Sequence, residues 1–226
     1  MYQTLEIRTL IRVIGGLAIV IFVFLLWYEP PADSVWNWCK HVAQAVGATA
    51  AAIIILGNKW VFPHIWRLKF VQAATFPYIA GEWVGTISSN WPVVKAMLDA
   101  YTNGTEPNDA NTLDNSKIPP EKRSIKVTIT ADLFTIEMRL ETLDRYSVSK
   151  SLVVKPKRAT AVEPARLLYI YENQTDVPVN TDSSNHIGAA MLDVTKDGDV
   201  LAGTYWTARN WTKGLNTAGR IELRRK

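Results

Sequence analysis

No charged residue occurs between Arg12 and Glu29, and the stretch VIGGLAIVIFVFLLWY inside that interval is apolar throughout. Counted back to Leu10, the run reaches bilayer length, roughly 17 to 25 residues. It predicts a transmembrane helix. A second uncharged run, VAQAVGATAAAIIILGN between His41 and Lys59, has Trp36 and Trp38 before it and Trp60 and Phe62 after it. Tryptophan favours the membrane interface, so these aromatics mark the edges of a second span. The acidic, proline-bearing link EPPADS joins the two spans into a helical hairpin. A signal peptide has a shorter apolar core and a cleavage site, whereas here a second hydrophobic segment follows. For the second, alanine-rich run a buried soluble helix is the alternative.

Charge placement orients the hairpin. Arg8 and Arg12 precede the first span, Lys59, Arg67 and Lys69 follow the second, and the link carries Glu29 and Asp33. Positive flanks stay cytoplasmic. Both termini, and everything after Lys69, are therefore expected on the cytoplasmic side. The net charge of +4 over 226 residues comes partly from these flanks and partly from the RRK tail. It is no nucleic-acid signature, and neither DNA nor RNA is expected as a partner. Cys39 is the single cysteine, so no internal disulfide forms, and no Cys/His cluster suggests a metal.

From about Tyr78 the pattern changes to short alternating segments with turn signals between them. Eight strands are expected, at 82–89, 124–132, 134–141, 146–155, 165–173, 186–196, 200–209 and 218–225. The joins LDR, KDGD and TKGLN are short, and the Asp-Gly pair is a hairpin signal. Evenly spaced strands without intervening helices argue for an antiparallel meander, and eight suffice to close a small barrel. An open sandwich is the alternative. The expected fold is thus membrane-anchored and all-β: a two-helix transmembrane hairpin over 1–70, then an eight-stranded up-and-down β-barrel over 75–226. Residues 91–121 interrupt it, with PVVKAMLDA able to form a turn or two of helix and the polar remainder reading as a mobile loop.

In a simple meander the odd strands leave the membrane side and end at the far rim. That rim collects Ser88, Ser89, Arg139, Tyr171, Asn173, Arg209 and Asn210 from strand ends, with Lys122, Arg123, Tyr146 and His186 from strand starts. Side chains alternate with period two, so Leu201, Gly203, Tyr205, Thr207 and Arg209 share a face, as do Leu167, Tyr169 and Tyr171. Those faces turn polar toward the rim, which suits a pocket with an apolar floor and a mouth for an anionic, aromatic ligand. The residues expected to meet it are Arg209, Tyr205, Thr207, Asn210, Tyr169, Tyr171, Arg139 and Ser88. Tyr169 and Tyr205 fit a plain core role equally well, and Trp83 reads as a barrel plug. Arg209 on an inward face needs a partner, either an anionic ligand or an internal carboxylate such as Glu137, Glu141 or Glu172.

Catalysis has no visible apparatus. His41 and His64 flank the second span, His186 stands alone at a strand start, and no Walker, nucleophile-elbow or zinc-protease motif is present. No enzyme, metal or cofactor is expected.

Two apolar spans, then YIAGEWVGTI and finally LAGTYWTARNWTKGLNTAGRIELRR, make the chain similar to the two-transmembrane β-barrel effectors of CBASS anti-phage defence. The resemblance implies a cytoplasmic barrel, avidin-like in shape, at the bacterial inner membrane. It implies binding of a cyclic dinucleotide made by a partner CD-NTase nucleotidyltransferase, then homo-oligomerisation, disruption of the lipid bilayer and death of the infected cell. A membrane-anchored carrier of an apolar ligand is the rival reading, and a packed structural scaffold a third. Small residues in VGATAAA would allow close packing between helices of different copies or within the hairpin.

Overall fold

The computed structural model describes residues 2–30, 34–104, 118–144, 146–178, 180–195 and 197–226. The centre of the EPPADS link, the polar stretch 105–117 expected as a mobile loop, and parts of the LDR and KDGD turns lie outside the described residues. The chain divides into two compact units, 1–76 with 131–135 and 77–130 with 136–226.

In the first unit, α1 (Ile7–Tyr28) and α2 (Val35–Gly57) are the two long helices. Ser34 starts α2, its hydroxyl accepting from the Trp36 N–H at 3.2 Å. Both helices are long and apolar enough to cross a membrane. A soluble core helix buries its large apolar side chains; here Ile19, Val20, Val23 and Phe24 of α1, and Val46, Ile54 and Ile55 of α2, are exposed. The two helices pack along a narrow seam, where α2 buries His41, Ala45 and Thr49 at four-residue spacing. His41 ties its ends together, with one ring nitrogen 2.8 Å from Asn37 O and the other 2.8 Å from Glu29 O. Of VGATAAA, Thr49 belongs to this seam, whereas Gly47 has open space around it. Two short helices follow, α3 (Phe62–Trp66) and α4 (Lys69–Ala74), anchored by the buried Trp66 indole, which donates to Phe76 O at 2.7 Å.

The second unit is a closed barrel of eight consecutive antiparallel strands, not a sandwich. These are β1 (Gly81–Ser89), β2 (Glu121–Ala131), β3 (Ile136–Thr142), β4 (Ser147–Lys157), β5 (Ala165–Thr175), β6 (Asn185–Val194), β7 (Val200–Thr207) and β8 (Ala218–Arg225). Every expected strand is present, with the largest boundary difference at the start of β2. The helix foreseen in PVVKAMLDA is longer, α5 (Trp91–Thr102), with Pro92 in its first turn. β1 and β8 close the cylinder in register from Trp83↔Arg225 to Ser89↔Gly219. The closure needs Gly85, because a Cβ there would sit 1.9 Å from Glu222 O.

One end of the barrel is a packed apolar core. Trp83, Val127, Ile129, Leu167, Leu192, Leu201 and Leu223 are buried there. Trp83 is fully buried and its indole donates to Ile79 O at 2.9 Å. The Arg225 guanidinium lies over its ring at 4.6 Å and over Tyr78 at 5.3 Å. Its N–H groups go to Ala80 O and Gly198 O, each at 2.9 Å, and to Tyr78 O. This arginine seals the end that Trp83 plugs. In β4 the pairing slips between Ser151 and Val153, so Leu152 is extra. A bulge of this kind shifts the inward set by one: Ser149 and Ser151 face in before it, and Pro156 is buried after it.

Candidate functional site

The other half of the barrel encloses a cavity of about 360 Å³, within the range of small-molecule sites. Its floor and walls are Ile87, Met138, Leu140 and Ile221 with three tyrosines, Tyr169, Tyr171 and Tyr205. Tyr171 reaches in because β6 has no side chain opposite: a Cβ on Gly188 would lie 2.4 Å from the Tyr171 ring. The Tyr169 and Tyr171 rings are 5.7 Å apart and tilted by 42°. Burial raises the hydroxyl pKa of all three tyrosines, so they remain neutral donors. A polar belt comes next. Ser149 donates to the buried Asn173 amide oxygen at 2.7 Å, and Thr207 and Thr217 hydroxyl oxygens lie 3.0 Å apart.

Two guanidinium groups line the mouth, each laid on an aromatic ring. Arg209 lies 4.5 Å over Trp91, at the start of α5, and Arg123 lies 4.4 Å over Tyr146. Arg123 is held by Glu121, with Nε 2.9 Å from its carboxylate, and by Asp144 at 3.3 Å. Arg209 pairs with Asp182, which also accepts from the Tyr146 hydroxyl. The Arg209 and Asp182 side chains are only 15% and 4% exposed, so the pair is desolvated and strongly coupled. Thr181 O accepts from Arg209 Nη2 at 3.2 Å and from Asn210 Nδ2 at 2.8 Å. Burial first, then Asp182, pushes the Tyr146 hydroxyl up to about 12. Burial, followed by the neighbouring Arg209 cation, lowers His186, which keeps its ring neutral near pH 7. Cations on aromatic shelves above a neutral, tyrosine-walled cavity can hold phosphate oxygens at the mouth and stack flat rings below.

The expected residues divide between this cavity and other places. Tyr169, Tyr171, Tyr205, Thr207 and Arg209 all line it. Asn210 adopts a left-handed conformation, φ 39°, and spends its amide on Thr181 O beside the mouth. Ser88 and Arg139 stand at the height of the cavity but do not line it. Ile87 and Ser89 flank Ser88 and line the cavity, and Met138 and Leu140 do so around Arg139. Arg139 is half exposed and pairs with Glu141. β7 stops at Thr207, so Arg209 sits in the turn beyond it, and its partner is Asp182 rather than Glu137, Glu141 or Glu172.

Several lining residues escaped the sequence reading. Ser147, Ser149 and Ser151 form a period-two row of hydroxyls that could have been read as an inward polar face. Trp91 and Asp182 carried no signal, since α5 and the β5–β6 connection reach the mouth only through tertiary structure.

A family model described as Cap15, cyclic dinucleotide receptor domain, matches residues 101–225, which includes β2 through β8 and the mouth residues Arg123, Tyr146, Asp182 and Arg209. The chain is also similar to the CD-NTase-associated protein 15 of Escherichia albertii, 27% identical over 212 residues that make up 92% of this chain and 89% of that relative. By the extent of that match, and by relatedness over nearly its whole length, the chain belongs to the Cap15 cyclic dinucleotide receptor family.

Proposed function

We propose that the barrel is the receptor of a membrane-disrupting effector of bacterial anti-phage immunity, and that a cyclic dinucleotide is its ligand. The observation that carries this reading is the pairing of Arg209 on Trp91 and Arg123 on Tyr146 around one tyrosine-lined cavity. A cyclic dinucleotide has two phosphates and two aromatic bases, and the site offers a cation for the first and flat faces for the second. The cavity binds and performs no reaction.

In this reading the basic flanks place the barrel on the cytoplasmic side of the inner membrane. The ligand, made by a partner CD-NTase, shifts the protein toward oligomers by its greater affinity for that state. α1 and α2 of neighbouring copies then associate. Gly15, Gly16 and Gly47 have open space around them, so another helix can approach closely there. The rival, a carrier of an apolar ligand, draws on the Ile87, Met138 and Leu140 wall but gives both mouth arginines, already paired with Asp182, Glu121 and Asp144, no role toward the ligand.

The test is a leakage assay with the full chain reconstituted in dye-loaded vesicles. Adding cyclic di-AMP, cyclic di-GMP and cyclic GMP–AMP in turn is expected to give dye release with at least one of them and none without ligand. Release that is the same with and without ligand, or a bound ligand that releases nothing, contradicts the effector reading.

A further inference from the structure

We infer that Asp182 is a specificity-determining residue of this receptor: its carboxylate occupies the anion position on Arg209, and a ligand phosphate must displace it. The inference rests on the receptor reading above and concerns how the same site selects its ligand.

Asp182 comes from the β5–β6 connection, not from a strand, yet among the described residues it is the least exposed acid in the barrel's ion pairs, at 4%. It stands where a phosphate oxygen belongs. Arg209 meets it through Nη2, and the Tyr146 hydroxyl donates to it. A phosphate accepts from both donors as well as a carboxylate does.

The fit is incomplete on the arginine side. Among the described residues, Arg209 Nε is buried with no hydrogen-bond partner. A buried unused donor is costly, and the planar fork of arginine is built to meet two oxygens at once. A phosphate spanning Nε and Nη2 uses the donor that Asp182 leaves idle. The connection itself has a second hold on the barrel, because Asn210 still donates to Thr181 O when the carboxylate leaves.

Exchange has a different consequence from simple addition. The incoming phosphate gains only the difference between itself and a resident, desolvated carboxylate, so a lone phosphate gains little. A ligand whose bases also stack in the cavity gains enough to win. Asp182 thereby favours dinucleotides over mononucleotides and inorganic anions.

The test compares the wild type with Asp182→Asn, full chain in lipid nanodiscs, by calorimetry. Asparagine keeps an acceptor for Tyr146 and removes the competing charge. The variant is expected to bind AMP and pyrophosphate measurably where the wild type does not, and to bind the wild type's preferred cyclic dinucleotide at least ten-fold tighter. A folded variant that gains neither, or that binds the dinucleotide more weakly, overturns the inference and makes Asp182 a positioning partner of Arg209. The AMP and pyrophosphate arm reads Asp182 even if no cyclic dinucleotide binds, an outcome that would sink the receptor reading alone. Hydrogen exchange on the wild type covers a variant that does not fold. Peptides spanning the β5–β6 connection should exchange faster once ligand is bound, and slower exchange contradicts displacement.

Discussion

Arg209→Ala is expected to lower cyclic dinucleotide affinity by about 100-fold, the equivalent of the roughly 2–3 kcal/mol carried by a charged hydrogen-bonded contact. It should also destabilise the barrel by about 3–5 kcal/mol, because the buried Asp182 carboxylate loses its arginine. The two effects separate in the double variant Arg209→Met/Asp182→Leu. Replacing a buried ion pair by apolar residues of similar volume is often neutral or stabilising, so chemical denaturation should show near wild-type stability. Calorimetry should still show the affinity loss. A stable double variant that binds the dinucleotide as tightly as the wild type would mean that Arg209 takes no part in recognition, and would favour the apolar carrier.

Trp83→Ala should remove about 3–5 kcal/mol of barrel stability, the usual cost of deleting a large aromatic from a core. The Arg225 guanidinium stacked on it at 4.6 Å then keeps only its Tyr78 shelf, adding about 0.5–2 kcal/mol. Against a typical total of about 5–15 kcal/mol, that is a large share. Thermal melting followed by tryptophan-independent far-UV circular dichroism reads the loss. Trp83→Phe should fall between, since it keeps most of the area but not the N–H to Ile79 O. Because Trp83 packs at the end opposite the cavity, the variant that still folds at low temperature should bind ligand with unchanged affinity. A loss of under about 1 kcal/mol would contradict its place as the plug of a packed core.

The same two residues show what could be read from the chain before its structure. Trp83 follows from the usual burial of large aromatics and the face running from Leu201 through Tyr205 to Thr207 from period-two alternation, and the barrel was legible because short alternating segments recur between turn signals. Height along a strand was legible too, and so Ser88 and Arg139 were grouped with the mouth. Their face was open to the same alternation, because apolar Ile87 beside Ser88 and apolar Met138 and Leu140 around Arg139 turn inward and leave both polar residues on the opposite face.

The partner of Arg209 was a further step away. The need for a counter-charge follows from burying a cation, but Asp182 lies in the polar segment between β5 and β6, where nothing in the residue types marks one acid over another. Its position comes from the barrel closing and bringing that connection to the turn after β7. Trp91 is hidden for the same reason. Local pattern specifies strands and faces, while the mouth is assembled from connections that only the closed cylinder brings together.

Calorimetric titration of cyclic di-AMP, cyclic di-GMP and cyclic GMP–AMP into the full chain in lipid nanodiscs tests most directly whether this barrel is a dinucleotide receptor. Saturable binding of at least one of them is predicted, weakening as salt rises, as a role for the mouth-lining Arg123 and Arg209 in meeting phosphate requires. No heat from any of the three with a correctly folded protein, or binding that is indifferent to salt and to loss of both arginines, would contradict it.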